Sequence, residues 1–342
     1  MLIPFLIPFV IAIFLAINMG GSGTAPSFSA AYGSNILKAS AIPGLFAIMV
    51  FLGAIVGGKE TAKTIGKGLL DPVFMNYMMV SIILFSVAIS LLLANLLGIP
   101  QSTSQSTVMA VVAPAIYFHS FNSDKFLLEI LPSWFIMPLA SFILAYIIGK
   151  YVYKPMRMKG LTISKKVNNS FLLRVLVIGT SSYVAFSIGT NNVANAVGPL
   201  ATMANNELNV ASENYVQVMI LATLIVAPSF GIGSSIFGKK LLQNTGKDII
   251  AFGKIEAVII SFLSASLLLT ASLIKGIPTS LVQLNVAAIL GIGVSKIGYK
   301  NIFERTQVKR FFVMWCISPV IAFAICLILT FVFDYFGLLV KI

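Results

Sequence analysis

The chain has 342 residues, 58% hydrophobic and only 10% charged, with a formal net charge of +13 and a mean hydropathy of +0.99. That balance excludes a water-soluble globule and points to an integral membrane protein. In a chain made mostly of apolar spans, the excess of Lys and Arg is orienting loop charge rather than a nucleic-acid surface.

Charge-free intervals set the predicted spans, in order 1–37, 39–58, 72–123, 130–149, 175–206, 214–238, 257–274, 276–295 and 311–333. A helix needs roughly 20 apolar residues to cross a bilayer. The 72–123 interval therefore holds two crossings with a break at Gly98-Ile99-Pro100, and about ten spans are expected by the same length rule. The first interval has no basic n-region or cleavage site and continues as an apolar run, so it reads as a span rather than a signal peptide. Within it, Asn18 to Ser27 is rich in glycine and hydroxyls. It predicts a helix break, with a new helix near Ser22–Ser27 aiming free N–H groups at an anion. After Pro100, Ser102, Thr103, Ser104 and Ser106 can cap the next helix or face a ligand, with Gln105 among them. The run from Gly189 to Pro199 carries Asn191, Asn192 and Asn195 in a stretch without charge from 175 to 206. Amides at membrane depth cost free energy unless they meet partners, so these predict a solute site. A broken helix there is tolerated only where its backbone faces protein or a wet cavity.

The chain repeats itself at about half its length. Gly98-Ile99-Pro100-Gln101-Ser102-Thr103-Ser104-Gln105 is echoed by Gly276-Ile277-Pro278-Thr279-Ser280-Leu281-Val282-Gln283. Gly58-Lys59 and Gly66-Lys67 return as Gly238-Lys239 and Gly246-Lys247, and Trp134 and Pro138 as Trp315 and Pro319. An all-α polytopic protein is expected, with a first inverted repeat over 1–152, a basic cytoplasmic linker over 153–170 and a second repeat over 171–342. Five spans per half would bring the second half in from the opposite side. The basic residues from Lys150 to Arg174 place the central loop in the cytoplasm, together with the Lys239–Lys254 and Lys300–Arg310 loops, and both termini outside. Lys59, Lys63 and Lys67 fit this poorly, offset only by Glu60 and Asp71. Cys316 and Cys326 lie about 15 Å apart along one predicted helix, too far to bridge.

The candidate binding set is Asn18, Gly21, Ser22, Gly23 and Thr24; Ser102, Thr103, Gln105 and Ser106; Asn191, Asn192 and Asn195; and Thr279, Ser280 and Gln283. No span holds a His pair, a carboxylate pair or a Cys–His set, so metal and general-base chemistry lack their groups. No catalysis and no resident cofactor are expected. A channel is the remaining rival, but repeats with broken helices favour alternating access.

The Gly189–Leu200 segment resembles the signature of the inorganic phosphate transporter (PiT) family, G-A-N-D-V-A-N-A-x-G-P-L. The Gly-Ile-Pro segments resemble that family's G-x-P-V-S-T-T-H element, also found once per half. The resemblance covers essentially the whole chain and implies a secondary transporter of an inorganic oxyanion, in a bacterial cytoplasmic membrane and able to form a homodimer. Asn192 replaces the family's Asp, Met19 stands at the matching place in the first half, and Gln105 and Gln283 replace its His. Sulfate has no proton to donate, so loss of both acids suits sulfate more than phosphate. The pattern is similar to the sulfate permease branch of the family, which makes sulfate the expected anion and phosphate the alternative. A coupling cation, proton or sodium, is implied. Glu256 is the coupling candidate, although it also fits a solvated interfacial residue, and His119 an ordinary loop residue.

Overall fold

The computed structural model describes residues 2–97, 99, 101–155, 170–245 and 253–339. Pro100, Gly98, most of the basic linker and Gly246-Lys247 therefore lie outside the described residues. The first part of the chain forms α1 (Leu2–Gly33), α2 (Ile42–Gly57), α3 (Lys59–Lys67), α4 (Tyr77–Leu97), α5 (Thr103–Tyr117) and α6 (Leu131–Ile148). The second part forms α7 (Phe171–Asn191), α8 (Val193–Glu207), α9 (Tyr215–Val226), α10 (Pro228–Thr245), α11 (Lys254–Lys275), α12 (Leu281–Ile297), α13 (Tyr299–Phe303) and α14 (Thr306–Tyr335). The protein is an all-α, multi-pass membrane protein.

Packing is reciprocal between the two parts. Helix α1 lies along α10 while α7 lies along α2; α4 flanks α1 as α11 flanks α7; and α5 packs on α14 as α12 packs on α6. Such exchanged partners are what an internal pseudo-repeat produces. Both long crossings are backbone-close. A Cβ on Gly233 would stand 1.8 Å from the Ile17 carbonyl, and one on Gly53 would stand 2.0 Å from that of Phe186. Only glycine admits helices this near to one another, and close van der Waals packing is what associates helices in lipid.

Two expectations need correction. Among the described residues seven helices are long and apolar enough to cross, or eight if α2 and α3, bent by 73°, count as one span. Ten is not reached, because α5 and α12 have only 15 and 17 residues. Those lengths give about 22 and 25 Å at 1.5 Å per residue, short of the ~30 Å hydrocarbon core. The second correction concerns Asn18–Ser27: α1 runs through it without a break. Ser22, Thr24 and Ser27 turn their hydroxyls back onto the carbonyls of Met19, Gly20 and Gly23, at 3.1, 2.7 and 2.8 Å. Hydroxyls satisfied within their own helix need no break to hold them.

The basic segment that fits the orientation poorly is α3. It turns off α2 at Gly58 and packs on α8 with Thr61, Ala62, Ile65 and Gly66 buried. Lys67 rests 4.1 Å above the Tyr215 ring, a cation–π contact. Neither cysteine is bridged; Cys316 is exposed and Cys326 buried.

Candidate functional site

Two helix starts converge on each other across one small cavity. Ser102 and Ser280 hold extended backbone and accept the N–H of Gln105 and Gln283, each at 3.3 Å, capping α5 and α12. Of the two roles open to the hydroxyls after Pro100, Ser102 takes the cap, and Ser280 does the same in the second segment. In the second, α11 stops at Gly276, whose φ of 60° is left-handed, a conformation glycine adopts at no steric cost. Each capping serine uses only a lone pair, so its own O–H proton remains to give.

Asn191, fully buried, ties these elements together. Its Nδ2 donates to Ser272 Oγ at 2.8 Å and to the Ile277 carbonyl at 3.1 Å. Its Oδ1 accepts from Ser104 Oγ at 3.0 Å and from the Thr279 N–H at 3.3 Å. One amide thus joins α7, the end of α11, the α11–α12 link and α5. The backbone also fixes its orientation. Since the Ile277 carbonyl can only accept, Nδ2 must face it, so Oδ1 takes the Ser104 proton. Ser104 Oγ can then only accept from Asn195, whose Nδ2 lies 3.3 Å away. The Asn195 Oδ1 atom is left buried and without a partner among the described residues.

A small cavity lies between the α5 and α12 starts, α1 and the α7–α8 junction. Ser22 and Gly23 of α1, Thr103 of α5, Asn192 of α7–α8 and Ser280 of α12 line it, as does Gln101 before α5. Its volume is about 10 Å³, the size that takes one water. Two buried polar atoms of its lining lack partners among the described residues: Asn192 Oδ1, an acceptor, and Gln101 Nε2, a donor. Gln101 is 1% exposed and Asn192 8%. The other Gln101 amide atom, Oε1, is held by Ser318 Oγ. The cavity thus offers the positive ends of two helices, hydroxyls, a free amide N–H and a free acceptor.

The remaining predicted residues divide. Asn195 and Thr279 stand behind the cavity, joined to it through Ser104 and Asn191. Gln105 and Gln283 bond each other reciprocally, Nε2 to Oε1, at 3.0 and 2.8 Å, which clamps α5 to α12. Replacing either by alanine should cost almost as much thermal stability as replacing both, with a coupling of about 0.5–3 kcal/mol; strictly additive losses in a double-mutant cycle would show the pair carries no weight. Asn18 lies away from the cavity, its carbonyl taking the Asn95 amide at 2.9 Å. Ser106 bonds Ser318 at 2.9 Å. Gly21 faces Phe237, and Thr24 lines a separate opening of about 300 Å³ with Ser234 and Lys239.

Glu256 sits 16 residues before Ser272, about 24 Å along α11. It pairs with Lys296 at 2.5 Å and accepts the Gly253 N–H at 2.8 Å, capping the helix. His119 is exposed in the link after α5. Among the described residues no group of three His, Cys, Asp or Glu could hold a metal. Sequence reasoning missed Asn95, Gln101, Ser272 and Ser318 as partners. Gln101 stands in the repeated motif and could have been found; a lone serine in an apolar run, such as Ser272, gives no signal.

The sequence family model that describes the Phosphate transporter family matches residues 19–326. The Sulfate permease CysP of Bacillus subtilis (strain 168) is 34% identical, over 97% of this chain and 89% of its own length. The Putative phosphate permease TK2061 of Thermococcus kodakarensis is 24% identical, over 93% of this chain and 94% of its own. A solved structure, the sodium-dependent phosphate transporter, superposes with a TM-score of 0.81 at 21% identity, covering 97% of this chain and 99% of that one; this shows a shared fold. Relatives come from bacteria and archaea alike, so they do not fix the bacterial source implied by the resemblance.

The expectation of sulfate is overturned. One relative carries sulfate in its name, but the matched family and the further relatives from Pyrococcus and Helicobacter carry phosphate. The physical premise fails too. Sulfate suits a site whose acceptors go unused, yet Asn192 keeps a buried oxygen unpaired in the cavity lining. An anion without a proton gives that oxygen nothing, and an unsatisfied buried acceptor costs about 1–3 kcal/mol. This chain belongs to the phosphate transporter family, whose members are transporters and not enzymes.

Proposed function

We propose that the protein is a secondary transporter of inorganic phosphate that works by alternating access and is driven by a coupled cation. The observation that carries this reading is the cavity between the α5 and α12 starts, which combines helix N-termini and hydroxyls with the unpaired Asn192 Oδ1. Donors attract an oxyanion, and the acceptor favours one that keeps a proton, as phosphate does and sulfate does not. Ser22, Gly23, Thr103, Asn192 and Ser280 line the binding place in this reading, with Asn191, Asn195 and Thr279 supporting it. A cavity of about 10 Å³ is too small for a tetrahedral anion and its four oxygens. It fits a conformation closed between two access states and speaks against an open pore.

In the same reading the chain is two inverted repeats of five elements each, 1–152 and 171–342, joined by a basic cytoplasmic linker over 153–170. The short α5 and α12 are then re-entrant members of their repeats, and the termini face outward across the cytoplasmic membrane. The test is uptake of labelled phosphate into proteoliposomes, with sodium and proton gradients imposed separately and unlabelled sulfate or phosphate as competitor. Saturable uptake that needs one of the two gradients is expected, with phosphate the better competitor. Stronger competition by sulfate would remove the phosphate reading; unsaturable, gradient-independent flux would replace the transporter with a channel.

A further inference from the structure

A second, much larger cavity of about 610 Å³ opens between α5, α6, α12 and α14. The Gln105–Gln283 pair faces it, directly after the residues Ser104 and Val282 that line the small cavity. Its walls are aromatic: Trp134, Phe135 and Phe142 from α6, Phe303 from α13, and Phe312 and Trp315 from α14. Both glutamine amides are spent on each other, so they offer little to an ion or to water, and apolar cavities stay dry. A volume of this size is in the range of small-molecule pockets, roughly 300–1,000 Å³.

What reaches it is set by the helices that frame it. The spans containing α6 and α14 have the smallest shares buried inside the molecule, 22% and 28%. Around the opening, Phe135 is 69% exposed, Leu139 57% and Val320 61%. Apolar side chains that open on a membrane-crossing helix meet hydrocarbon. Basic residues also neighbour the lining on two of these helices. Lys300 precedes Phe303 by three residues on α13, and Lys309 precedes Phe312 by three on α14, so each cation neighbours a lining ring on its helix surface. Lys300, Lys309 and Arg310 are exposed, and Glu304 is the one carboxylate between 299 and 310.

We propose that the cavity holds an acyl chain of an anionic phospholipid, with the lipid phosphate resting on Lys300, Lys309 and Arg310. An apolar slot with cations beside its lining matches an amphiphile with a negative head, and each basic residue near a membrane surface strengthens such binding by about fivefold. The lipid then backs the amide pair that clamps α5 to α12, next to the transport site. The inference does not depend on which anion is carried.

The test uses the full chain in mild detergent, titrated with phosphatidylglycerol or phosphatidylcholine, reading melting temperature and bound lipid by native mass spectrometry. Phosphatidylglycerol should raise the melting temperature at lower concentration than phosphatidylcholine. The exposed-charge variant Lys300→Gln/Lys309→Gln/Arg310→Gln should lose about fivefold in phosphatidylglycerol affinity for each charge removed. Leu139→Trp, which fills the slot, should abolish stabilisation by either lipid; if it fails to fold, the charge variant still decides. Equal effects of the two lipids on the wild type, or an unchanged affinity in the charge variant, would overturn the proposal. So would oxidative crosslinking through Cys316, an exposed residue of the lining, into a covalent dimer, since a second copy would then cover this face.

Discussion

Replacing Asn191 by alanine should bring anion uptake to background and lower the melting temperature of the protein. Its amide makes four hydrogen bonds, to Ser272, Ile277, Ser104 and Thr279. Alanine would leave the Thr279 N–H buried without its partner, at about 1–3 kcal/mol, and the Ile277 carbonyl with only the Thr279 hydroxyl at 3.3 Å. The start of α12 and the Ser104 hydroxyl would lose the atom that sets their spacing, and a loss of that size exceeds tenfold in an equilibrium constant. Asn191→Asp separates position from stability. It keeps acceptors for Ser104 and Thr279 but turns an oxygen toward the Ile277 carbonyl, so it should fold better than alanine and still transport poorly. Uptake by proteoliposomes and thermal melting read both effects. An alanine variant that transports like the wild type would show the amide to be a dispensable packing residue.

Asn192→Asp should change selectivity rather than fold. Asn192 lines the small cavity, and its Oδ1 has no partner among the described residues, so a carboxylate there takes no oxygen away from an existing hydrogen bond. The added charge repels any anion in a poorly hydrated site, but phosphate can place a proton between its own oxygen and the carboxylate, a strong charge-assisted bond. Competition by sulfate should therefore fall by at least about tenfold, with a smaller change for phosphate. The phosphate response should sharpen as pH falls, because the more protonated anion then predominates. Measuring inhibition of labelled phosphate uptake by both anions across pH checks this. An unchanged ratio of the two inhibition constants would mean that residue 192 does not face the anion.

Some of this was readable in the chain itself. Composition and charge spacing determined a multi-pass helical membrane protein, because no water at depth can satisfy an open backbone and only spans of sufficient apolar length remain. The doubled Gly-Ile-Pro segments determined the capped starts of α5 and α12, since a serine acceptor before a helix acts through bonds local in sequence. Three-dimensional packing decided the rest. The glycine- and hydroxyl-rich stretch of α1 could have been a break or a close helix contact; α10 crossing at Gly233, with the hydroxyls turned onto their own helix, made it the second. Loss of the motif acids suggests an anion with no proton to donate. Only the tertiary contacts show that Ser104, Asn191 and Ile277 orient the Asn195 amide so that its oxygen stays unpaired. Amide side chains carry a donor and an acceptor at once, and which one is spent inside the protein is set by partners 81 and 91 residues away. Sequence names the group; the fold chooses its face.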